Sequence, residues 1–223
     1  MRVEDWKILR LEENMRTFAL LLIVAVMSLT VGWNFWEGEA TDDTAYFPLK
    51  VGYKWTYVAK MGDEEKEMEM EVVGTQKIGD VECFAIEAFG GAPLFYAADK
   101  EGVKRYKLSE RGDNNPQLTL KFPLKKGSEW NLTNPDRSMS KCKNEGEEEI
   151  KVPMGKMKCW KISRTVVFDN LEKEAKEEVE WFAKDIGLVK FYAKFGEQEM
   201  VMELKSFSKG EDEDKKGNEG EKK

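Results

Sequence analysis

Phe47-Pro48-Leu49-Lys50-Val51-Gly52-Tyr53-Lys54-Trp55 occurs twice in this chain, returning as Phe122-Pro123-Leu124-Lys125-Lys126-Gly127-Ser128-Glu129-Trp130. Both copies read F-P-L-K-x-G-x-x-W. Pro48 fixes φ and disfavours helix around it. Gly52 permits a turn with φ > 0. Trp55 then opens the run Trp55-Thr56-Tyr57-Val58-Ala59. The motif reads as an extended lead-in, a tight turn and a strand whose first side chain is a large anchor.

Downstream of the first copy, Glu67-Met68-Glu69-Met70-Glu71-Val72 alternates strictly. Met68, Met70 and Val72 fall on one face and the glutamates on the other, the period of a half-buried antiparallel strand. Similar runs recur between turns rich in Gly, Asp and Pro: Val81 to Phe89, Leu94 to Ala97, Val103 to Leu108, Glu149 to Val152, Met157 to Phe168, Leu188 to Phe195 and Glu199 to Phe207. Pro153-Met154-Gly155-Lys156 reads as a hairpin turn, and Asn134 to Gly146 as a long polar loop. Val179, Trp181 and Ala183 mark a further strand, while Leu171 to Lys176 carries helical propensity.

Two more correspondences accompany the first. Gly79-Asp80-Val81-Glu82-Cys83-Phe84-Ala85-Ile86 matches Gly155-Lys156-Met157-Lys158-Cys159-Trp160-Lys161-Ile162, and Phe95-Tyr96-Ala97-Ala98-Asp99 matches Trp181-Phe182-Ala183-Lys184-Asp185. Three motifs in one order predict two tandem copies, 46–108 and 121–206. The expected fold is all-β: about ten to twelve antiparallel strands in one curved sheet or open half-barrel, with a β-sandwich as the alternative. A copy of this length would be marginal alone, so residues 41–207 are expected to form one domain.

Composition limits the chemistry. The chain has 223 residues, a formal charge of -7 and a pI near 5.1. No basic excess offers itself to phosphate, which argues against nucleic-acid binding. There is no histidine, so Ser-His-Asp and Cys-His catalysis are excluded and the commonest zinc ligand is missing. No cofactor or metal site is expected. Cys83, Cys142 and Cys159 form no C-x-x-C pair, and no disulfide is predicted.

Thr17 to Trp33 is almost continuously apolar, Arg16 precedes it, and Gly38-Glu39-Ala40 follows. This predicts a secretory signal over residues 1–40, with Met15 as a more ordinary start, or alternatively an anchor through residues 17–33. In both readings the rest of the chain is exported, to the periplasm or cell exterior, and touches membrane only through this segment. Residues 208–223 are small, polar or charged, and are expected to be a disordered tail.

Trp55, Trp130, Trp160 and Trp181 are the candidate ligand-binding residues, as the lining of an aromatic pocket. Packing at matching places in two half-domains is the competing reading, favoured by their positions at strand starts. No catalytic residue can be singled out. The F-P-L-K-V-G-x-x-W start, the Val152 to Cys159 segment and Trp181-Phe182-Ala183-Lys184-Asp185-Ile186-Gly187-Leu188-Val189-Lys190 together resemble the TapB-like exported proteins. That resemblance implies an antiparallel β protein, with a sheet similar to the LolA/LolB lipoprotein carriers. The lipoprotein members carry an anchor cysteine, and this chain has none near residue 40. The function expected is a non-enzymatic exported module that binds an apolar ligand, a lipid or an envelope partner on a concave sheet face. The alternatives are an envelope interaction protein without a pocket and a carboxylate-based hydrolase.

Overall fold

Tyr53, Trp55, Tyr57 and Ala59 are buried along strand β1 (Tyr53–Met61) while the residues between them are not. The alternation follows from the two-residue repeat of a pleated strand, and it organises the remaining chain. The structure, a computed structural model, describes residues 42–107, 116–133, 139–167 and 176–210. These lie within the unit that begins at Asp42. The expectations for residues 1–40 and for 211–223 lie outside the described residues.

A short 3-10 helix (Asp43–Tyr46) precedes β1. The strands that follow are β2 (Glu64–Ile78), β3 (Val81–Ala88), β4 (Leu94–Asp99), β5 (Gly102–Tyr106), β6 (Gln117–Lys121), β7 (Glu129–Thr133), β8 (Met139–Val152), β9 (Gly155–Val167), β10 (Lys176–Ala183), β11 (Gly187–Phe195) and β12 (Gln198–Lys209). They form one antiparallel sheet in the order β6-β5-β4-β3-β2-β1-β12-β11-β10-β9-β8-β7. The curved all-β sheet expected from the sequence is what forms, as a single sheet and not a sandwich.

Register shifts at Thr56/Tyr57, Val72/Gly74, Val103/Lys104, Asn144/Gly146 and Trp181/Phe182 bend it. Bulges increase local twist, and five of them curl twelve strands into a nearly closed barrel. The outermost strands, β6 and β7, meet without a backbone ladder. Side chains cross the seam instead. The Trp130 indole donates to the Leu118 carbonyl at 3.1 Å, Lys121 Nζ to the Glu129 carbonyl at 3.2 Å, and the Gln117 amide to the Thr133 carbonyl.

Both F-P-L-K segments make the same turn. The Tyr53 amide donates to the Lys50 carbonyl at 3.1 Å, and the Ser128 amide to the Lys125 carbonyl at 3.0 Å. The glycine in each, Gly52 (φ 89°) and Gly127 (φ 82°), occupies the left-handed position. Each glycine amide then reaches the next hairpin: Gly52 donates to Val72 at 2.8 Å, Gly127 to Asn144 at 2.7 Å. Those acceptors begin the bulges of β2 and β8, opposite Ile86 and Ile162 respectively.

Three sequence expectations need correction. Asn134 to Gly146 is not all loop, because β8 begins at Met139 and pairs with both β7 and β9. Its inward residues are Ser140, Cys142 and Asn144, which are buried but not strongly apolar. The turn expected over Lys77-Ile78-Gly79-Asp80 forms at Gly79-Asp80 and is shorter, since Lys77 and Ile78 still belong to β2. Ser208 and Lys209 are not tail but the end of β12, paired with Lys54 and Tyr53. Of the stretch Leu171 to Lys176 with helical propensity, Lys176 begins β10 and the rest falls outside the described residues.

The β3–β4 connection contains Phe89 at φ 59° followed by Gly90 at φ 73°, closed by Gly91 donating to the Ala88 carbonyl at 3.0 Å. Two successive positive φ values favour Asn-Gly, not Phe-Gly. Left-handed backbone costs a side-chain-bearing residue roughly 1–2 kcal/mol, and Phe89 is 46 % exposed, so it recovers little by burial. Phe89→Asn is expected to stabilise the protein by about 1 kcal/mol, seen as a rise of roughly 2–4 °C in Tm. An unchanged or lowered Tm would mean that the phenyl ring contributes more than its exposure suggests.

Candidate functional site: the lumenal cavity

A cavity of about 320 Å³ lies inside the curved sheet. Its apolar wall comes from strands of both halves: Trp55 on β1, Met70 on β2, Ile86 on β3, Leu120 on β6, Leu132 on β7 and Phe182 on β10. Phe47 and Pro48 of the first F-P-L-K segment also line it. The Phe47 ring lies 5.3 Å from that of Tyr96 and 6.2 Å from that of Phe182. The lead-in is held there by the amide of Asp185, which donates to the Ala45 carbonyl at 2.8 Å, and by Asp43 Oδ2, which accepts from the Leu124 amide at 2.7 Å.

Four charged residues share the cavity wall: Arg105, Arg164, Glu178 and Glu180. Arg164 on β9 and Glu180 on β10 pair at 2.6 Å, with side chains only 12% and 14% exposed. Arg164 also donates to the Thr119 carbonyl at 3.0 Å. Its buried Nε has no hydrogen-bond partner among the described residues. Arg105 on β5 donates to Gln117 at 2.6 Å and interacts with the Tyr96 hydroxyl. Glu178 lies opposite Arg164 in the β9–β10 ladder.

Burial pushes the Glu180 carboxyl above its ordinary value, Arg164 pulls it down less, and Glu178 pushes it up further. For Arg164, burial acts to lower the pKa, but the charge of Glu180, with Cys142 and Glu178 adding to it, leaves the guanidinium raised and firmly charged. Burial likewise raises the Tyr96 hydroxyl.

The four tryptophans proposed from sequence do not meet at one site. Trp55 lines the cavity, stacked on Phe207 at 5.4 Å, with its indole donating to the Ile186 carbonyl at 2.6 Å. Trp130 is buried against β6 and seals the seam. Trp160 is half-buried and bonds the Tyr46 hydroxyl. Trp181 is buried in the core cluster that also holds Trp55, with Lys161 and Lys190 lying 5.5 and 5.7 Å from its ring and Glu148 accepting from its indole. Trp130, Trp160 and Trp181 are not among the cavity-lining residues.

Sequence reasoning missed Arg164, Glu178 and Glu180. In β10 it noted Val179, Trp181 and Ala183 as the marks of a strand, and β10 forms there. The neighbouring residues were passed over: Glu178 and Glu180 line the cavity, while Trp181 is buried in the core with Lys161 over its ring. One signal was present: Arg164 interrupts the alternating apolar run Trp160, Ile162, Val166 of β9. The three cysteines are buried free thiols in three separate packed clusters. Burial raises Cys142 to about 11 and Cys159 to about 12, so both are protonated and poor nucleophiles at neutral pH. Among the described residues, no three metal-ligating side chains come together.

A protein-family model described as DUF3108-like matches residues 112–202. None of the curated proteins matches the chain. Among solved structures, the chain is similar to a Bacteroides fragilis protein described as exported with a YmcC-like fold (12% identity, 73% of this chain and 98% of that one, TM-score 0.39). It is also similar to the hypothetical lipoprotein YmcC of Escherichia coli (11% identity, 78% and 92%, TM-score 0.35). A third is the lipoprotein LppX of Mycobacterium tuberculosis (12% identity, 76% and 92%, TM-score 0.32).

Proposed function

We propose that the chain is an exported, non-enzymatic envelope protein that binds an apolar ligand inside its curved sheet. The observation that carries this reading is the lumenal cavity. Its volume of about 320 Å³ falls at the small end of ligand-sized sites. Its lining is mostly apolar with a few converging polar groups, the make-up that such sites share. Met70 adds an adaptable wall. Export follows from the apolar segment Thr17 to Trp33, which either is cleaved after Ala40 or anchors the chain. The ligand is a lipid or another apolar envelope component, and the resemblance to TapB-like exported proteins agrees with this setting.

The matched turns and bulges of the two F-P-L-K segments support a reading of the fold as two copies, 46–108 and 121–206. On that reading the cavity lies between the copies. Phe47 then sits between Tyr96 and Phe182, residues that correspond in the third sequence match.

Among the described residues that line the cavity, the carboxylate-hydrolase alternative has one candidate pair, Glu178 and Glu180. They stand side by side on one strand, and Arg164 holds Glu180 in an ion pair. A glycosidase pair flanks its substrate from opposite sides, which this arrangement does not provide.

The test uses the fluorescence of N-phenyl-1-naphthylamine, which brightens in apolar sites. Wild-type protein is expected to bind it saturably, and Ala88→Trp, which fills the cavity wall, is expected to weaken binding at least ten-fold with an unchanged circular dichroism spectrum. Leu132→Trp serves if Ala88→Trp does not fold. Absence of saturable binding by the wild type, or binding unaffected by a folded filled-cavity variant, would overturn the proposal.

A further inference from the structure

The charges that line the cavity restrict what can enter it. Two arginines, Arg105 and Arg164, share the wall with two glutamates, Glu178 and Glu180, so basic and acidic side chains are matched two to two. A charged head group of either sign would leave the enclosed cluster with an uncompensated charge. Removing an ion from water without a partner costs several kcal/mol. A purely hydrocarbon ligand would leave a different deficit, since the Arg164 Nε is already without an acceptor among the described residues. An unpaired buried donor is costly, and supplying an acceptor is favourable. Apart from Thr119 and the Tyr96 hydroxyl, the remaining wall, from Phe47 and Trp55 to Leu132, is apolar.

Resting on the lumenal reading above, we propose that the occupant is a neutral amphipath: an apolar body with an uncharged oxygen, a hydroxyl or carbonyl, that accepts a hydrogen bond from the Arg164 guanidinium. The body lies against Phe47, Trp55 and Phe182. The oxygen lies at the β9–β10 pair, beside the guanidinium whose Nε lacks a partner among the described residues. Fatty alcohols and acylglycerols have this chemistry, whereas free fatty acids and alkylamines do not.

The test compares 1-decanol, decanoate, decylamine and decane as competitors of N-phenyl-1-naphthylamine at pH 8. Decanol is expected to bind at least ten-fold more tightly than either charged analogue. In the double variant Arg164→Met/Glu180→Leu, which removes a pair of opposite charges and so keeps the wall balanced, the preference for decanol over decane is expected to fall several-fold. Decanoate or decylamine binding as tightly as decanol would overturn the neutral-head proposal, as would an unchanged decanol-to-decane ratio in the folded double variant. In both cases binding in the lumen would stand. If none of the four competes and the probe itself does not bind, the lumenal reading fails with it.

Discussion

Arg164→Met is expected to destabilise the protein by about 3–5 kcal/mol, because it leaves Glu180 buried and unpaired. The two side chains are 12% and 14% exposed and meet at 2.6 Å, so solvent screens them little. The Thr119 carbonyl loses its Arg164 donor in the same change. The double variant Arg164→Met/Glu180→Leu is expected to return to within about 1–2 kcal/mol of wild type, or above it, since a well-packed apolar pair often equals a buried ion pair. Urea unfolding of the three proteins measures this. The single variant should also respond to pH. Glu180 is already held above its ordinary value by burial, and loss of Arg164 raises it further. A carboxyl whose folded pKa lies above its unfolded one stabilises at low pH, and that contribution is lost as pH rises through the folded value. The deficit of Arg164→Met should therefore be smaller at pH 5 than at pH 8. An equal deficit at both would mean that water reaches Glu180 and the pair is not enclosed.

Trp55→Ala is expected to cost about 3–5 kcal/mol, the usual range for truncating a buried aromatic. Trp55 is 2% exposed, stacks on Phe207, meets Tyr53 edge-on at 6.3 Å and donates to the Ile186 carbonyl. It joins β1, β12 and the β10–β11 turn at one point. Trp55→Phe keeps most of the stack and loses the donor, so its cost should be nearer 1 kcal/mol beyond the lost area. Thermal and urea unfolding would measure both. A Trp55→Ala cost below about 1 kcal/mol would show that the cavity collapses around the gap or that this end of the sheet is loosely packed.

Much of the sheet was legible because its strands alternate in the simple sense. Met68, Met70 and Val72, or Met200, Met202 and Leu204, announce an inward face by apolarity alone. The β8–β9 hairpin was half legible: its turn at Pro153-Met154 was read, but the start of β8 was not. There the inward residues are Ser140, Cys142 and Asn144, and apolar periodicity cannot register them. Asn144 is buried because its side chain accepts from the Gly146 amide at 2.9 Å and its backbone pairs with Ser128 and Gly127. A hydrogen-bonding reason of that kind has no signature in hydropathy. The candidate site was obscured for the opposite cause. In β10 Trp181 and Ala183 are buried in the core with Val179 packed beside them, while Glu178 and Glu180 line the cavity, where Arg164 from β9 meets them across the ladder. Only the pairing of β9 with β10, combined with register, reveals it. Phe47 was legible as an anchor of its motif, but its place between Tyr96 and Phe182 depends on sheet closure.

The most direct test of lumenal binding is native mass spectrometry of the full chain, released without denaturant from a bacterium that exports it. The expected spectrum contains protein carrying one small neutral amphipath, or taking up one 1-decanol on incubation, and the added mass is lost in folded Ala88→Trp. Protein that is bare as isolated and stays bare with 1-decanol would contradict a binding lumen.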